Sequence, residues 1–552
     1  MPNEKDLLEE IKSLKIKIDE LKDHKKYGLI WEDKKEKFEI ESKDALPILR
    51  EKGRGFSDII TNKNEDFNIL IEGDNYHSLS VLSYTHRNKI DVIYIDPPYN
   101  TGKKDFRYND HYVDKEDRFR HSKWLSFMEK RLKLAKALLK KEGVIFISID
   151  DNEIAQLTLL CNKIFGEKNF INNFMWLHGK GKKTKQSRTL QQYILCYAKN
   201  EKLLNEWVDI KFASGTFSNP DNDPRGDWFS GSISFSEERS NKQSDNYFTV
   251  KSPTGISWDR QWQCTKEEMD EYIKDKKIFF GLAPDYLNVP RLKIFPNDTS
   301  EIIPNNIIDG IGSTRDAQRD LDEIIGKTSD GKSKFENPKP PKLIEFFCSI
   351  INSDKNITIL DFFAGSGTTA RGILELNKKD GGKRRFILCT NNENKICEDI
   401  TYSYLQKIIK GYKKKNNDKK IKGLDGNLKY LKTDFVKLEK SIDTLKYKIV
   451  EGSTEILCLK ENSFDLVVDS YKKNRIKIFQ NKEKYTAILF DLFYFNDFVN
   501  ELKKLKYKPT SVYVFSYTKD FSKKEFGDLN IKFTIEPIPE NILEIYKKIF
   551  NF

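Results

Sequence analysis

Apolar runs too continuous for a half-exposed sheet punctuate the first part of the chain. "NILIEG" (68–73), "DVIYID" (91–96) and "VIFISID" (144–150) alternate with helical stretches such as "WLSFMEKRLKLAKALLKKEG" (124–143). Strands buried on both faces read this way, and they belong to parallel sheets whose crossovers are helices. The predicted fold class is therefore α/β, and "TLQQYILCYAKN" (189–200) reads as a further strand of the same sheet. Before these runs, Leu7, Ile11, Leu14, Ile18 and Leu21 recur at spacings of 4, 3, 4 and 3. That is a heptad seam on a helix, fitting either a dimeric coiled coil or a helix packed on its own domain.

From about 201 to 334 the pattern dissolves into Asn, Asp, Gly, Ser and Trp, as in "SNPDNDPRGDWFSGS" and "SPTGISWDRQWQC". A loop-rich insertion with short strands is expected there. Strand–helix alternation returns at "NPKPPKLIEFFCSI", "ITILDFFAGSGTTARGILELN" and "RRFILCTNNEN". The lysine-dense "KGYKKKNNDKKIKG" (410–423) reads as a solvated joint in preference to a DNA contact. A mixed segment with strands "YTAILFD" and "SVYVFSY" follows. The expected organisation is a helix at 1–30, a first core part at 31–200, an insertion at 201–334, a second core part at 335–420 and a C-terminal α/β domain at 421–552.

Composition narrows the function classes. The 552 residues include 97 Lys and Arg against 85 Asp and Glu, a net charge of +12. This fits a polyanionic partner or simply a lysine-rich surface. Seven cysteines without a Cys-x-x-Cys pair, beside six scattered histidines, give no legible zinc site and read as reduced, mostly buried thiols. The charged start "MPNEKDLLEE" is no signal peptide, and no apolar run approaches the ~20 residues of a membrane span. A cytoplasmic location is expected.

Two stretches carry chemistry. In "DVIYIDPPYN" (91–100) an apolar strand runs into an acid, two prolines and a tyrosine. Proline cannot donate to a ladder, so the strand ends there. In "ILDFFAGSGTTARGILEL" a strand ends at Asp361, a turn carries Gly365 and Gly367, and a helix begins near Thr368. Glycines allow close backbone approach to a ligand, and a helix N-terminus offers free N–H groups. "GKTSDGKS" (326–333) formally matches a P-loop through Gly326, Gly331, Lys332 and Ser333. It follows a helical stretch and precedes "KFENPKPP", so it is expected to be a decoy. No nuclease or helicase set is legible.

Asp-Pro-Pro-Tyr followed, after an insertion, by Phe-x-Gly-x-Gly (Phe363, Gly365, Gly367) resembles the β class of S-adenosylmethionine-dependent DNA amino-methyltransferases. With "KYGLIWE", "LIEGDNYHSL", "WLSFMEKRLKLA", "NPDNDPRG", "NVPRLK", "NPKPPKLIE" and "CTNNENKIC", residues 26–412 resemble the Mod subunits of type III restriction–modification systems. The resemblance implies a Rossmann-like methyltransferase sheet with permuted motif order and a target-recognition insertion. It implies methylation of adenine N6 in double-stranded DNA by base flipping, with S-adenosylmethionine as cofactor. The partners implied are double-stranded DNA, a restriction (Res) subunit and a second copy of the chain in a homodimer. Asp at the first motif position favours adenine N6 over cytosine N4. A solitary or type II methyltransferase, a cytosine-N4 enzyme and an inactive DNA-binding relative are the alternatives.

By the same resemblance, Asp96 and the Pro97 carbonyl accept the target amine's N–H bonds, Pro98 stiffens the turn, and Tyr99 stacks on the flipped base. Asp361, Phe362, Phe363, Gly365, Gly367 and Thr368 form the cofactor loop. Lys339 and Pro340 close over the methionine end of the cofactor, and Asp74 lies at its adenine end. Thr390 stands where many relatives hold the ribose with Glu, leaving Asn392 and Glu393 as the candidates. Lys180, Lys182, Lys183, Lys185 and Arg188 in "HGKGKKTKQSR" read as a phosphate-gripping loop, against a mobile solvated one. Arg225, Arg239, Arg260, Arg291 and Arg315 are candidate base readers or scaffold ion pairs.

Overall fold

A computed structural model describes Trp31, Glu36 and residues 44–550, except 54–55, 63–64, 104, 109–110, 184, 214, 352–353, 415–418, 471–474, 506–507, 518–520, 528 and 530. The heptad seam at 3–28 lies outside the described residues. The chain divides into a larger unit, residues 1–205, 305–348 and 353–552, and a smaller one, 206–304 with 349–352.

The larger unit is built on a ten-stranded sheet. In chain order its strands are β1 (Ala45–Glu51), β2 (Phe67–Glu72), β3 (Ile90–Ile95), β4 (Leu139–Ile149), β5 (Phe170–Lys183), β6 (Arg188–Ala198), β7 (Ile307–Ile308), β8 (Thr358–Asp361), β9 (Arg385–Thr390) and β10 (Asn427–Lys437). Across the sheet they run β1-β10-β2-β9-β8-β3-β4-β6-β5-β7. The six from β10 to β4 are parallel to one another, and β1 and β6 close this block antiparallel. β3 is buried along nearly its whole length, as its unbroken apolar sequence requires. Pro97 and Pro98 then end it.

Strand β3 feeds β4 on one side, while β8, its other neighbour, feeds β9 on the far side. Their register sets Val92 against Ile359 and Ile93 against Leu360, so both strands end together. Such a point of diverging connections leaves a crevice at the strands' carboxyl ends. Helices α1 (Asn75–Thr85), α2 (Arg120–Leu138) and α5 (Thr368–Asp380) contribute to its lining, and α3 (Thr314–Ile325) and α4 (Pro341–Ile350) lie in sequence between β7 and β8.

Several expected boundaries shift. The helix predicted over 124–143 stops at Leu138, because Leu139 turns extended and pairs with Ile90. The insertion is narrower than 201–334: its compact unit ends at Pro304, and β7 and α3 return to the larger unit. The C-terminal domain does not begin at 421, since β10 lies between β1 and β2 in the main sheet. Beyond it, β11 (Asp465–Ser470), β12 (Ile476–Gln480), β13 (Tyr485–Leu489), β14 (Thr510–Phe515) and β15 (Phe533–Ile538) form a five-stranded sheet in sequence order within the same unit. The smaller unit holds short antiparallel ladders around Trp262, Met269 and Ile278. All seven cysteines are buried free thiols. No helix among the described residues is long and apolar enough to cross a membrane.

Candidate active site

The crevice is a cavity of about 620 Å³, within the size range of small-molecule sites. Six acids (Glu36, Asp74, Asp96, Asp105, Asp361, Glu393) and three bases (Arg107, Arg131, Lys339) line it. The excess of acid suits a cationic ligand.

Asp96 enters from the end of β3. Its Oδ1 accepts from the Tyr99 hydroxyl at 2.8 Å and from Lys339 Nζ at 2.7 Å, and its Oδ2 accepts from Lys339 at 2.8 Å. The Pro98 carbonyl accepts from the indole N–H of buried Trp124 at 2.7 Å, which ties the turn to α2. Pro97 is buried, and Tyr99 packs its ring on the core. Neither contributes to the cavity lining, whereas Asp96 and Pro98 do. Burial first, and then the Asp96 charge, push the Tyr99 phenol well above its ordinary range, so its proton stays in the bond to Asp96.

The glycine turn enters from the neighbouring strand. Gly365 has φ +51° and Gly367 φ +84°, a left-handed region that costs side-chain-bearing residues energy. A Cβ at Gly365 would lie 2.9 Å from the Phe335 ring. The Thr401 hydroxyl donates to the Gly365 carbonyl at 2.6 Å. Asp361 stands beneath the turn, 2 % exposed, accepting from the Phe363 N–H at 2.9 Å and the Thr369 hydroxyl at 2.6 Å. Burial pushes its carboxyl up to about 7, against the pull of those two bonds, and the Asp96 charge adds to the rise.

Most of the residues singled out in the sequence converge here. Asp74, Asp361, Phe362, Phe363, Gly365, Thr368 and Glu393 line the cavity. Asp74 also caps α1, its side chain accepting from the Tyr76 N–H. Gly367 is the left-handed cap residue of α5. Lys339 faces the cavity, but its ammonium is bound to the Asp96 carboxylate, an engagement the motif comparison does not suggest. Pro338 reaches the cavity and Pro340 is buried without lining it. Of the two ribose candidates, Asn392 spends its side-chain oxygen on the Glu398 N–H. Glu393 faces the cavity, paired with Arg107 at 3.1 Å.

Within the basic stretch, residues 178–183 belong to β5 and Arg188 opens β6. Lys182 pairs with Thr189 and Lys183 with Arg188, because β5 and β6 extend past the sheet proper. Lys185 and Arg188 are exposed; the side chains of Lys180, Lys182 and Lys183 lie outside the described set. In the smaller unit Arg225 is clamped on Asp223 and Arg291 on Ser230, the scaffold role. Arg239 is exposed, and exposed Arg315 belongs to the larger unit. The P-loop look-alike follows α3 and runs without a helix to α4.

Sequence reasoning missed a buried support. Arg131, 1 % exposed, binds both Glu36 oxygens at 3.1 Å, donates to the Asn75 side chain and lies 3.5 Å from Asp74. Asn75 in turn donates to the Phe362 carbonyl. Burial pushes Glu36 up to about 7, with Arg131 opposing. An arginine among the lysines of α2 was the one available hint, since Arg suits buried forked pairing better than Lys.

A family model described as DNA methylase, covering N6 and N4 enzymes, matches residues 90–410. The StyLTI Mod subunit of a type III restriction-modification enzyme from Salmonella typhimurium is 33% identical over 381 residues, 63% of this chain and 56% of that protein. The EcoP15I Mod subunit from Escherichia coli is 31% identical over 59% of this chain and 58% of its own length. The type II methyltransferase M.KpnI from Klebsiella pneumoniae is 32% identical, covering 60% of this chain and 82% of its own length. The chain thus spans less than three-fifths of those two Mod subunits.

Proposed function

This chain belongs to the N6/N4 DNA methylase family, and from that premise we propose that it methylates adenine N6 in double-stranded DNA, as the modification subunit of a type III restriction–modification system. One observation carries the reading: Asp96 and the glycine turn end adjacent parallel strands and face one cavity.

S-adenosylmethionine fits the residues present. Gly365, where a side chain would collide with Phe335, lets backbone approach the ligand, and the acid-rich lining suits a cation. Asp74 would meet its adenine end and Glu393 its ribose hydroxyls. When bound, it supplies an electrophilic methyl on a positively charged sulfur. The chain's own residues prepare the acceptor. An adenine amine is a weak nucleophile because its lone pair is delocalised into the ring. Asp96 and the Pro97 carbonyl accept its two N–H bonds, which turns the lone pair out of conjugation and toward the methyl. The proline pair fixes both oxygens beforehand. The base must leave the duplex to reach them; Tyr99, packed on the core with Lys339 over its ring, serves the site through its hydroxyl bond to Asp96.

Transfer of tritium from labelled cofactor to DNA, with sequencing for N6-methyladenine, tests the assignment. Unmodified DNA, or label on cytosine, sinks it. The proposed setting is the cytoplasm, with a homodimer joined by a Res subunit; co-purification of an ATP-dependent nuclease with the tagged chain tests that pairing. A second reading, a type II enzyme working alone, is favoured by the 82% coverage of M.KpnI. Its signature is full methylation with no nuclease recovered.

A further inference from the structure

We infer that Lys339 is a positioning residue for the carboxylate that receives the target amine, pinning Asp96 so that a single lone pair of Oδ2 meets the amine N–H. The inference rests on the methyltransferase reading and deepens it.

An ionised carboxylate has about four lone-pair sites. Lys339 Nζ takes one on each Asp96 oxygen, and the Tyr99 hydroxyl takes the second on Oδ1. What is left for an incoming N–H is one site on Oδ2. A carboxylate free to rotate would present either oxygen; this one is held at three points. Lys339 is itself constrained: 6 % exposed against 27 % for Asp96, with its ammonium 4.9 Å from the centre of the Tyr99 ring. A lysine buried to that degree keeps its charge by pairing, and the cation over the ring ties Lys339, Tyr99 and Asp96 into one unit.

The pair also sets the charge at the reacting centre. Asp96 with Lys339 is close to neutral, so Asp96 serves as a hydrogen-bond acceptor and not as a free anion drawn to the cofactor's positive sulfur. Asp361 and the Tyr99 phenol, both of which feel the Asp96 charge, are held toward their protonated forms by burial. The His178 ring is held toward its neutral form by burial and by the Lys339 charge.

The test compares the full-length wild type with Lys339→Met and Lys339→Gln. Single-turnover methyl transfer to DNA and calorimetric cofactor binding are measured on each. Losing a charge-assisted bond to Asp96 should slow transfer by about 10- to 100-fold in Lys339→Met. Lys339→Gln, which keeps an N–H donor without the charge, should recover part of the rate, and it carries the test if Lys339→Met does not fold. Cofactor affinity should change by less than about threefold in both. Unchanged transfer rates, or cofactor affinity falling in step with rate, overturn the inference while leaving the methyltransferase reading intact. A wild type that transfers no methyl to DNA overturns both.

Discussion

Replacing Asp361 with Asn should flatten the pH dependence of stability. The carboxyl is buried and ordinarily titrates at 3.8, but in the folded chain it is pushed up to about 7. Between those values the folded protein keeps a proton that the unfolded chain has shed. Stability from this group is therefore complete below about pH 4 and is lost as pH rises through 7. At about 1.4 kcal/mol per pH unit, the window spans about 4 kcal/mol as a ceiling. The amide of the Asp361→Asn variant does not titrate. Its oxygen can accept from the Phe363 N–H as the carboxylate does, and the Thr369 hydroxyl can turn to accept from its NH2 group. Glu36 and Glu345, also pushed up to about 7, titrate in the same window, so the informative quantity is the difference between wild type and variant. Urea unfolding at about pH 5 and about pH 7.5 reads it. Only about two of those pH units lie between pH 5 and 7, so the variant should gain on the wild type at the higher pH by up to about 3 kcal/mol. Parallel curves would show that Asp361 is already ionised in the folded protein, and the account of the turn's support would be wrong.

Asp96→Ala should abolish methyl transfer and leave cofactor affinity, measured calorimetrically, mostly intact; equal loss of both would assign Asp96 to the cofactor. Gly365→Val places a branched side chain against Phe335 at a left-handed φ, so cofactor binding should collapse in a chain that keeps its circular dichroism; unchanged affinity refutes the loop assignment. Changing Lys180, Lys182, Lys183 and Lys185 to Ala should weaken binding to all DNA sequences alike and flatten the salt slope by ~3–4 if all four touch phosphate. A changed methylated motif with an unmoved slope would instead make this stretch a reader of bases.

The acid turn and the glycine turn were legible because their strands are buried on both faces and end abruptly, one at Ile95 before the prolines and the other at Asp361 before the glycines. Hydrophobic runs and backbone-specific residues are local signals. Partnership is not local. "NLKYLKTDFVK" alternates polar and apolar residues, and nothing in it shows that it lies between β1 and β2, more than 350 residues away in sequence. The polar composition that opened the insertion near 201 ran on to 334, past β7 and α3, because a two-residue strand carries no period and α3, though legible as a helix, is as polar as the insertion before it. That Asn392 accepts from the Glu398 N–H while Glu393 faces the cavity was not visible before the fold. Lys339 shows the limit of motif transfer: its place in the cavity was right, but the group it holds was set by the three-dimensional approach of residues 96 and 339.

The pairing of Val92 with Ile359 has a consequence for synthesis. At roughly 5–20 residues per second, a ribosome needs roughly 13–50 s to make the intervening chain. During that interval β3 can pair with β4, but its other edge waits for a strand not yet translated, and β2 waits likewise for β9 and β10. An unpaired, mostly apolar edge is a template for association with other chains. The arrangement that brings acid turn and glycine turn together thus leaves open strand edges on the nascent chain until Lys437 has emerged.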